Sequence, residues 1–399
     1  MRVLYLNTYG NGSTGRIVDS LKEECKDNGI EALSVFAREV CNSPDTSIRC
    51  FNEVEFYLDA LCTRIFDNHG LNSYFNTKKV IKIIEDFSPD IIHIHNLHGY
   101  WINYQCLFKY IKKKKIKVVW TFHDCWPFTG HCTHFDYVGC EKWKTGCFSC
   151  PQTKEYPAGK FLDGSRRNYL NKRESFTGIK GCVLVTPSKW LKEKVEDSFL
   201  GVYPVKVINN GVNLNVFKPI QSEKKQKLVG DRYKALLLAV AGDWNPRKGL
   251  SFIAELARTK PEWLLVVVGN IPDISLIDGI ENIIHIKRTE NTSELAEWYS
   301  ISDAYLNPTL EDNYPTTNLE AIACGTPVAT FPTGGSPEIV RETGFGVISS
   351  ERTANALVDS VETILRETYE TPDKSSLDSA VKFNQYIELY REVKEGAYD

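Results

Sequence analysis

DAYLNPTLEDNYPTTNLEAIACGTPVATF, residues 303–331, decides the fold of this chain. The apolar runs DAYLNPT and TPVATF at its two ends are typical of buried strands. The stretch between them predicts a short helix that begins at Pro315 and is closed by Gly325. A strand, a helix and a second strand in this order predict a parallel β-α-β unit.

The same alternation of apolar strands and helical patterns runs through the whole chain. In the first half, strands are predicted at 2–7, 32–37, 90–95, 117–123, 181–188 and 205–209. In the second half, they are predicted at 235–242, 263–270, 282–287, 303–309, 326–331 and 344–350, and a long helix at 376–396. Between the halves, INNGVNLNVFKP (208–219) and the polar residues after it predict an interdomain linker. The fold class is therefore α/β, with two doubly wound Rossmann-like domains and a ligand cleft between them.

Composition narrows the class of protein. The chain has 399 residues, 42% of them apolar and 25% charged, which predicts a soluble globular protein. A net charge of −3 argues against nucleic acid as a partner, because such binders need a basic surface. The first ten residues lack the pattern of a signal peptide, and no apolar run is long enough to span a membrane. With twelve cysteines in such a chain, we expect a cytoplasmic location.

Three acids surround the start of the predicted helix. Glu311 and Asp312 follow the strand that ends in LNPT, and Glu320 is placed on the first turn of the helix. The free N–H groups of a helix start attract phosphate, and nearby carboxylates accept hydrogen bonds from sugar hydroxyls. The pattern suits a ligand that carries both groups. The alternative is that the acids only complement the helix dipole.

A second candidate loop, GDWNPRKGL (242–250), follows the first strand of the second half. Arg247 and Lys248 lie at the start of the next helix, where they could hold a diphosphate by charge-assisted hydrogen bonds. The same cations would stabilise the charge on a departing phosphate. The alternative is ordinary surface charge.

With these two loops, the sequence resembles the retaining glycosyltransferases of the GT-B fold, family 4, which build bacterial capsules, O-antigens and exopolysaccharides. The resemblance covers nearly the whole chain. Its acidic-x7-acidic motif falls on Asp312 and Glu320 and is followed by AIACGTPV. Further matching stretches are INNGVNLNVF, FPTGGSPEIV (331–340), TPSKWL (186–191) and TFH (121–123).

The resemblance implies an N-terminal acceptor-binding domain of residues 1–210 plus 383–399, to which the final helix crosses back. It implies a C-terminal donor-binding domain of residues 211–382. Glu320 would bind the donor ribose, Asp312 the hydroxyls of the donor sugar, and Lys248 the diphosphate. His123 would contact the donor sugar near the reacting carbon. The implied catalytic residues are His123, Asp312 and Lys248.

Further donor contacts are implied at other loop tips. Backbone groups of one turn would contact sugar and phosphate: Asn313, Tyr314, Pro315 and Thr316. The ends of two strands would face the nucleotide base: Gly269, Asn270 and Arg288. The glycine-rich loop TYGNGSTGR (8–16), with Gly12 and Gly15, would approach the phosphates or the acceptor.

The sequence departs from the family pattern at two positions. The family usually has Glu at the first motif position, where this chain has Asp312 with Glu311 beside it. Either acid could therefore contact the sugar. The family often has Arg directly after the glycine of the phosphate loop, where this chain has Asp243. Arg247 could substitute for it.

The resemblance implies transfer of a sugar from a UDP- or GDP-sugar to a glycan or polyprenyl-linked oligosaccharide, with retention of anomeric configuration. No Asp-x-Asp element is present, so we expect no metal cofactor for catalysis. One alternative is a nucleotide-sugar epimerase of the same architecture. Another is a zinc-stabilised binding module without activity. The enzyme would be cytoplasmic, with peripheral contact to the inner face of the cell membrane as a further expectation.

A cysteine-rich insertion, residues 124–151, follows His123. Cys132, Cys140, Cys147 and Cys150 could bind a structural zinc ion, because Cys147 and Cys150 form a C-x-x-C pair. Free thiols and disulfides are the alternatives. The segment has little regular apolar pattern, so a metal or a crosslink would help to order it. Trp126 could stack on an acceptor sugar, or it could be buried in the insertion's own small core.

Each of three other segments has two possible interpretations. HIHNLHGYWIN (93–103) follows a strand: His98 and Asn103 are acceptor candidates, while His93 and His95 form either a metal pair or packed side chains. The amphipathic segment 55–70 belongs to the core or guides a lipid-linked acceptor. The basic run KKKKIK (112–117) is a solvated helix end or a membrane-docking site.

Overall fold

A computed structural model describes residues 1–39, 43–370 and 372–399. The chain divides into two compact units. Unit 1 comprises Met1–Asn209 and Phe383–Asp399, and unit 2 comprises Asn210–Lys382. The boundary predicted from the sequence lies one residue later, at 210/211.

Unit 1 is built on a seven-stranded sheet in which all the strand pairs are parallel. Its strands are β1 (Arg2–Tyr9), β2 (Glu31–Arg38), β3 (Ser47–Arg49), β4 (Ile91–Ile94), β5 (Lys117–Thr121), β6 (Cys182–Thr186) and β7 (Val205–Val207). The strand order is β3-β2-β1-β4-β5-β6-β7, so the direction of winding reverses between β1 and β4. The central strands are buried along their length, as expected for a parallel sheet with helices on both faces.

Among the described residues, six α-helices belong entirely to unit 1. They are α1 (Gly12–Asp27), α2 (Glu53–Phe66), α3 (Tyr74–Phe87), α4 (Tyr104–Lys114), α5 (Ser165–Phe176) and α6 (Lys189–Glu196). Ser188 caps α6, because its side chain accepts a hydrogen bond of 3.1 Å from the Leu191 N–H.

Unit 2 contains a six-stranded sheet with the order β10-β9-β8-β11-β12-β13, again with all strand pairs parallel. The strands are β8 (Ala235–Asp243), β9 (Trp263–Asn270), β10 (Ile283–Ile286), β11 (Ala304–Asn307), β12 (Val328–Thr330) and β13 (Gly346–Ile348). The helices are α7 (Lys224–Val229), α8 (Leu250–Thr259), α9 (Thr292–Ile301), α10 (Thr316–Ala323), α11 (Ser336–Thr343) and α12 (Ala354–Arg366). Both sheets confirm the predicted α/β class of two doubly wound folds.

The last helix, α13 (Ser379–Glu395), begins in unit 2 and ends in unit 1. Its aromatic residues join the core of unit 1, where Tyr386 and Tyr390 are buried. The Tyr390 hydroxyl lies 3.1 Å from the Tyr5 hydroxyl of β1. This helix is therefore a structural part of unit 1, in agreement with the predicted return of the chain.

The cysteine-rich insertion is held by aromatic packing. Trp126, Phe128, Phe135 and Trp143 are all buried and belong to the same hydrophobic core as the sheet of unit 1. The rings of Phe135 and Trp143 stack with centroids 4.8 Å apart. The segment has little regular apolar pattern, and its large buried rings supply cohesion without regular spacing.

Candidate functional site

The site in unit 2 lies between β8 and β11, where the order of the strands in the sheet reverses. These strands are neighbours and run parallel, with Ala304 beside Leu237 and Tyr305 beside Leu238. The loops that follow them therefore leave the same edge of the sheet. In doubly wound sheets, ligands bind at this switch point, beyond the carboxyl ends of the strands.

Two cation–carboxylate pairs connect these loops. Lys248 Nζ lies 2.8 Å from Asp312 Oδ2, and Arg247 Nη1 lies 3.3 Å from Glu311 Oε2. The Glu311 side chain is only 3% exposed, whereas that of Asp312 is 21% exposed. All four residues were predicted as donor contacts, and the structure brings them together within unit 2. The difference in exposure separates the two acids, which the sequence could not.

The backbone fixes the spacing of the two loops. The Leu310 N–H donates to the Arg247 carbonyl at 2.7 Å, and the Asn245 side chain accepts from the Arg247 N–H at 3.0 Å. Gly249 has φ of +76°, and a Cβ there would lie 2.2 Å from the Pro308 carbonyl oxygen. Only glycine allows this approach, so Lys248 is held against the loop that carries the acids.

Glu320 lies on the second turn of α10, not on the first turn as predicted. Pro315 is the N-cap and Thr316 the first helical residue, so Glu320 is the fifth residue of the helix. The Tyr299 hydroxyl donates a hydrogen bond of 3.0 Å to Glu320 Oε2. Tyr299 is fully buried on α9 and thus orients the carboxylate. The sequence gave no sign of this partner, because it lies 21 residues away on another helix.

The remaining residues of the predicted donor turn are packed closely. Asn313 is 6% exposed and Tyr314 is 5% exposed. The Tyr314 carbonyl accepts a hydrogen bond of 3.1 Å from the Asn210 side chain, and the Asn313 carbonyl accepts one of 3.0 Å from the Gly335 N–H. Both carbonyls thus bond within the chain, and the backbone contacts to a ligand that the resemblance implies stay a prediction.

The turn after β12 belongs to this site, although none of its residues was among the predicted site residues. Gly334 has φ of +53°, and a Cβ there would lie 1.8 Å from the Asp312 carbonyl oxygen. The hydroxyls of Thr333 and Ser336 are buried and have no hydrogen-bond partner among the described residues. Unpaired buried hydroxyls are uncommon, so these two are candidates for ligand contacts. The Gly-Gly pair at the end of a predicted strand was the available signal.

The ends of β9 and β10 lie at the same edge of the sheet. The Asn270 side chain donates to Asp243 Oδ1 at 2.8 Å, which ties the end of β9 to the end of β8. Gly269 has φ of +129°, and a Cβ there would lie 1.9 Å from the Ala241 carbonyl oxygen. Arg288 is exposed and follows the end of the edge strand β10. Gly269 therefore has a packing role whatever else it contacts.

The glycine-rich segment of unit 1 is largely helical. α1 begins at Gly12, inside the predicted glycine-rich loop, and Asn11 caps it. Gly15 lies in the first turn, where a Cβ would be 2.8 Å from the Gly10 carbonyl carbon. The short loop after β1 is thus a tight turn, and Gly15 serves close packing within it.

Histidines gather at the carboxyl ends of β4 and β5 in unit 1. His95 Nδ1 lies 2.9 Å from His123 Nε2, with the rings stacked. His98 Nε2 lies 2.8 Å from Asp124 Oδ2. Burial lowers the pKa of His123 to about 4, so this imidazole is neutral at physiological pH. Burial opposes ionisation of Asp124, but the adjacent His98 outweighs it and the pKa of Asp124 falls to about 2.

Two of the residues predicted to contact the acceptor have structural roles in unit 1. Asn103 caps α4: its side chain accepts from the Cys106 N–H at 2.9 Å and donates to the Leu71 carbonyl at 2.5 Å. Trp126 is 2% exposed, so burial, not stacking on a sugar, is the correct interpretation. His98 remains a candidate.

His93 is a packed histidine rather than half of a metal pair. Its ring nitrogens lie 2.6 Å from the Tyr390 hydroxyl and 2.8 Å from the Thr121 hydroxyl.

The four cysteines predicted as zinc ligands line one cavity of the insertion, together with His131 and Trp143. The Gly130 N–H donates to Cys147 Sγ at 3.1 Å. No disulfide joins these four or the other described cysteines. Across residues 1–39, 43–370 and 372–399, however, no three side chains of His, Cys, Asp or Glu are arranged to hold a metal ion. The zinc site therefore remains a prediction.

Comparison with known families agrees with this architecture. The model described as Glycosyltransferase Family 4 matches residues 14–216, about half of the chain. A second model, described as Glycosyl transferases group 1, matches residues 221–380. The chain belongs to glycosyltransferase family 4.

One curated relative and two solved structures are similar over much of the chain. The putative colanic acid biosynthesis glycosyl transferase WcaC of Escherichia coli (strain K12) is 26% identical over 66% of this chain and 65% of its own length. The chain thus spans less than two thirds of the length of that relative. The sucrose-phosphate synthase of Thermosynechococcus elongatus has a TM-score of 0.69 and 14% identity, covering 98% of both chains. Anabaena HepE in complex with UDP has a TM-score of 0.68 and 14% identity, covering 98% and 100%. These two likenesses show the shared GT-B fold.

Proposed function

We propose that this protein is a retaining glycosyltransferase that transfers a hexosyl group from a UDP- or GDP-sugar to a glycan or polyprenyl-linked oligosaccharide during surface polysaccharide synthesis. The observation that carries the proposal is the pair of cations facing two carboxylates at the switch point of unit 2. A nucleotide sugar presents a diphosphate to the cations and sugar hydroxyls to an acid. The loops after β8 and β11 offer both a cation for the diphosphate and an acid for the hydroxyls.

In this proposal, the Lys248 side chain exchanges its partner when the donor binds. Lys248 is 35% exposed, and partly exposed ion pairs contribute only about 0–1 kcal/mol. Phosphate oxygens can therefore replace Asp312 at small cost. Asp312 is then released to accept hydrogen bonds from the sugar. The lysine thereby stabilises the charge that develops on the leaving diphosphate.

The two adjacent acids receive different roles in this proposal. Glu311 is almost fully buried against Arg247, which suits a residue that positions a cation. Asp312 is more exposed and suits direct contact with the donor sugar. Glu320, oriented by Tyr299, is proposed to bind the ribose. His123 keeps the role implied by the family resemblance, a contact to the donor sugar by a neutral imidazole.

Two related proteins support the choice of substrate class. The solved Anabaena protein is described in complex with UDP and with UDP-glucose, and the Escherichia coli relative is named for colanic acid biosynthesis. We propose the same kind of donor here, with cations and helix N–H groups offsetting the leaving-group charge without a catalytic metal. We found no support for the epimerase alternative.

The test is calorimetric titration of the whole protein with UDP and with GDP, in magnesium and in EDTA. We expect one of the two nucleotides to bind at least about tenfold more tightly, and equally well in both buffers. A panel of sugar donors with that base should then reveal slow hydrolysis and, with acceptor, transfer. Failure of both nucleotides to bind would overturn the proposal. Binding that needs a divalent ion would overturn the metal-free mechanism.

The inactive-module alternative has its own test. Lys248→Ala and Glu320→Ala variants should abolish polysaccharide formation in a producing cell that depends on this protein. Unchanged polysaccharide with both variants would favour a binding module.

The location of the protein in the cell is also part of the proposal. No helix in the described part of the chain is both long and apolar enough to cross a bilayer. We propose a cytoplasmic protein that works at the inner face of the cell membrane, because a polyprenyl-linked acceptor is held there.

A further inference from the structure

The imidazole rings of His95 and His123 form one hydrogen-bonded pair in unit 1. His95 follows β4, and His123 follows β5, which is the neighbour of β4 in the sheet. His95 Nδ1 lies 2.9 Å from His123 Nε2, and the planes of the two rings differ by only 13°. Burial lowers the pKa of both rings, that of His123 to about 4, so each ring is neutral at physiological pH and carries one proton. One ring must therefore donate the shared hydrogen bond and the other must accept it.

The outer nitrogens of the pair, His95 Nε2 and His123 Nδ1, have different surroundings. His95 Nε2 is buried and has no hydrogen-bond partner among the described residues. His123 is half-buried, and over the described part of the chain its side chain hydrogen-bonds only to His95. If His123 donates the shared bond, the proton of His95 lies on the buried Nε2. If His95 donates it, Nε2 carries no proton and the proton of His123 lies on Nδ1.

His69 shows what a buried ring N–H without a polar partner requires. Burial keeps this ring neutral by lowering its pKa well below the ordinary value. The Gly99 N–H donates to His69 Nε2 at 3.2 Å, so the proton of His69 lies on Nδ1, which is also buried without a hydrogen-bond partner among the described residues. The rings of Tyr100 and Trp126 stand at 85° to it, with centroids 4.8 and 5.6 Å away. A perpendicular ring can offer its π face to an N–H group.

The described rings above and below His95 offer no such face. Those of His93 and Tyr5 are tilted by only 34° and 33° from the plane of the His95 ring. The N–H of an imidazole lies in the plane of its own ring, so a proton on Nε2 would run along these neighbours instead of into them. A buried N–H group without any partner is rarer than an unpaired acceptor. The arrangement in which His95 Nδ1 carries the proton is therefore favoured.

His95 is also held firmly in place. Its N–H donates to the Leu6 carbonyl at 2.9 Å, and its carbonyl accepts from the Trp120 ring N–H at 3.2 Å. Its ring centre lies 4.2 Å from that of His93, both of whose nitrogens are bonded to buried hydroxyl groups. A side chain fixed in this way by backbone bonds and packing can orient another one with precision.

We propose that His95 is a positioning residue for His123: its Nδ1–H donates to His123 Nε2 and leaves the proton of His123 on Nδ1. The bond that one imidazole nitrogen makes decides which tautomer the other nitrogen presents. His123 then acts as a hydrogen-bond donor, so its partner on a ligand is an oxygen lone pair and not a hydroxyl proton. The proposal rests on the proposed function only where that partner is taken to be an oxygen of the donor sugar.

The test is NMR of the ring nitrogens in the whole protein with isotope-labelled histidine, in the absence of any ligand. The chain has eight histidines, and the signals that disappear in a His123→Gln variant belong to His123. We expect one protonated nitrogen, Nδ1, and one bare nitrogen, Nε2, for this ring. In a His95→Leu variant the ring should exchange between tautomers, and its two nitrogen signals should move toward each other.

Two further variants separate positioning from packing. In His95→Asn, the amide nitrogen can take the place of Nδ1 as a donor, so the tautomer of His123 should be retained. The matched control is His69→Leu, because His69 is likewise a buried imidazole of unit 1 with one hydrogen bond and one unpaired nitrogen. It should leave the signals of His123 unchanged. Circular dichroism of each variant checks that it is folded.

Kinetics with the preferred sugar donor give a second measurement. His95→Leu should lower kcat at least about tenfold, because a misplaced sugar contact weakens the transition state. His95→Asn should recover most of that loss. Calorimetry should show unchanged affinity for the free nucleotide in both variants, since His123 is proposed to contact the sugar. If no nucleotide binds to the unaltered protein, the proposed function fails, and the NMR spectra still decide the role of His95.

Three outcomes would overturn the proposal. One is a spectrum of the unaltered protein in which Nε2 of His123 carries the proton, and this result needs no variant to fold. Another is an unchanged tautomer of His123 in His95→Leu. The third is a changed tautomer with an unchanged kcat, because the orientation of the His123 proton would then have no bearing on the reaction.

Discussion

Lys248 Nζ lies 2.8 Å from Asp312 Oδ2, and this ion pair joins the loops that follow the neighbouring strands β8 and β11. Neither residue is near the other in sequence, yet the strand order brings them to one edge of a sheet. The pair places a cation and an acid where a diphosphate and a sugar would meet.

Lys248→Ala should weaken binding of the preferred nucleotide by about tenfold to a hundredfold, because a charge-assisted hydrogen bond to phosphate contributes about 1.5–3 kcal/mol. Calorimetry measures this directly. Lys227→Ala is the matched control: Lys227 also forms an ion pair, with Glu223, but on the exposed helix α7. Equal affinities for the two variants would remove Lys248 from the donor site.

Asp312→Asn should affect the contact to the sugar and the binding of the nucleotide differently. The variant loses the partner that competes with phosphate for Lys248, so it should bind the free nucleotide as well as or better than the unaltered protein. Transfer should fall by about a hundredfold or more, because the contact to the sugar is weakened in the transition state. Steady-state kinetics and calorimetry on the same sample check both halves. A variant with normal turnover would contradict the role of Asp312.

Glu311 and Asp312 should differ in their effect on stability. Glu311→Ala removes a nearly buried carboxylate from Arg247, and we expect a loss of about 1–3 kcal/mol in the free energy of unfolding. Asp312→Ala breaks a more exposed pair and should cost less than about 1 kcal/mol. Urea denaturation of both variants gives the comparison. The reverse order would mean that Asp312 is the structural acid.

Tyr299→Phe tests whether Glu320 must be held in place. Loss of the hydroxyl that donates to Glu320 should weaken nucleotide binding about fivefold, with a stability loss of about 1 kcal/mol. Tyr203→Phe is the control, since its hydroxyl donates to the Phe176 carbonyl at 2.9 Å within unit 1. It should lose similar stability and retain full nucleotide affinity. If both variants bind nucleotide equally, Tyr299 is only structural.

His123 should make the protein sensitive to acid. Burial lowers the pKa of His123 in the folded protein to about 4, below its ordinary value of 6.5, so the unfolded chain takes up a proton first as the pH falls. Stability should therefore decrease between about pH 6.5 and pH 4, by on the order of 3 kcal/mol from this group. His123→Gln should flatten that part of the profile of unfolding free energy against pH. Parallel profiles for the two proteins would contradict the assignment.

The cysteine cavity calls for a direct metal measurement. If the insertion binds zinc, the purified protein should contain about one zinc ion per chain, and a Cys147→Ser/Cys150→Ser variant should contain none. Cys182→Ser is the control, because Cys182 is buried in β6 away from the cavity lining. A zinc content far below one ion per chain, with all thiols reactive after unfolding, would indicate free thiols. A lower intact mass without reduction would indicate disulfides.

The strands and the donor-site loops were predictable for one physical reason. Strands of a parallel sheet are buried on both faces, so they stand out as continuous apolar runs, and β9 coincides with its predicted range of 263–270. Once the strands are placed, the loops at their carboxyl ends follow. Lys248 and Asp312 could thus be assigned to one edge before any contact was known.

Other features could not be predicted because they depend on tertiary partners. The pattern of α2 shows that the helix has two faces, but only the buried contacts of Glu55 and Asp59 show which face is inside. The capping role of Asn103 depends on Leu71 and Cys106. The link between Tyr299 and Glu320 joins two helices, which no local pattern records.

The path of α13 has a consequence for how the protein is made. The chain leaves unit 1 at Asn209 and returns to complete it with Phe383–Asp399. These residues include the buried Tyr386 and Tyr390. A ribosome releases those residues after all of unit 2, so the first Rossmann-like unit cannot close its interior until unit 2 has been made. Truncation before Phe383 should therefore yield an aggregation-prone fragment, and joining 383–399 to the N-terminal half through a short linker should restore a folded half-protein.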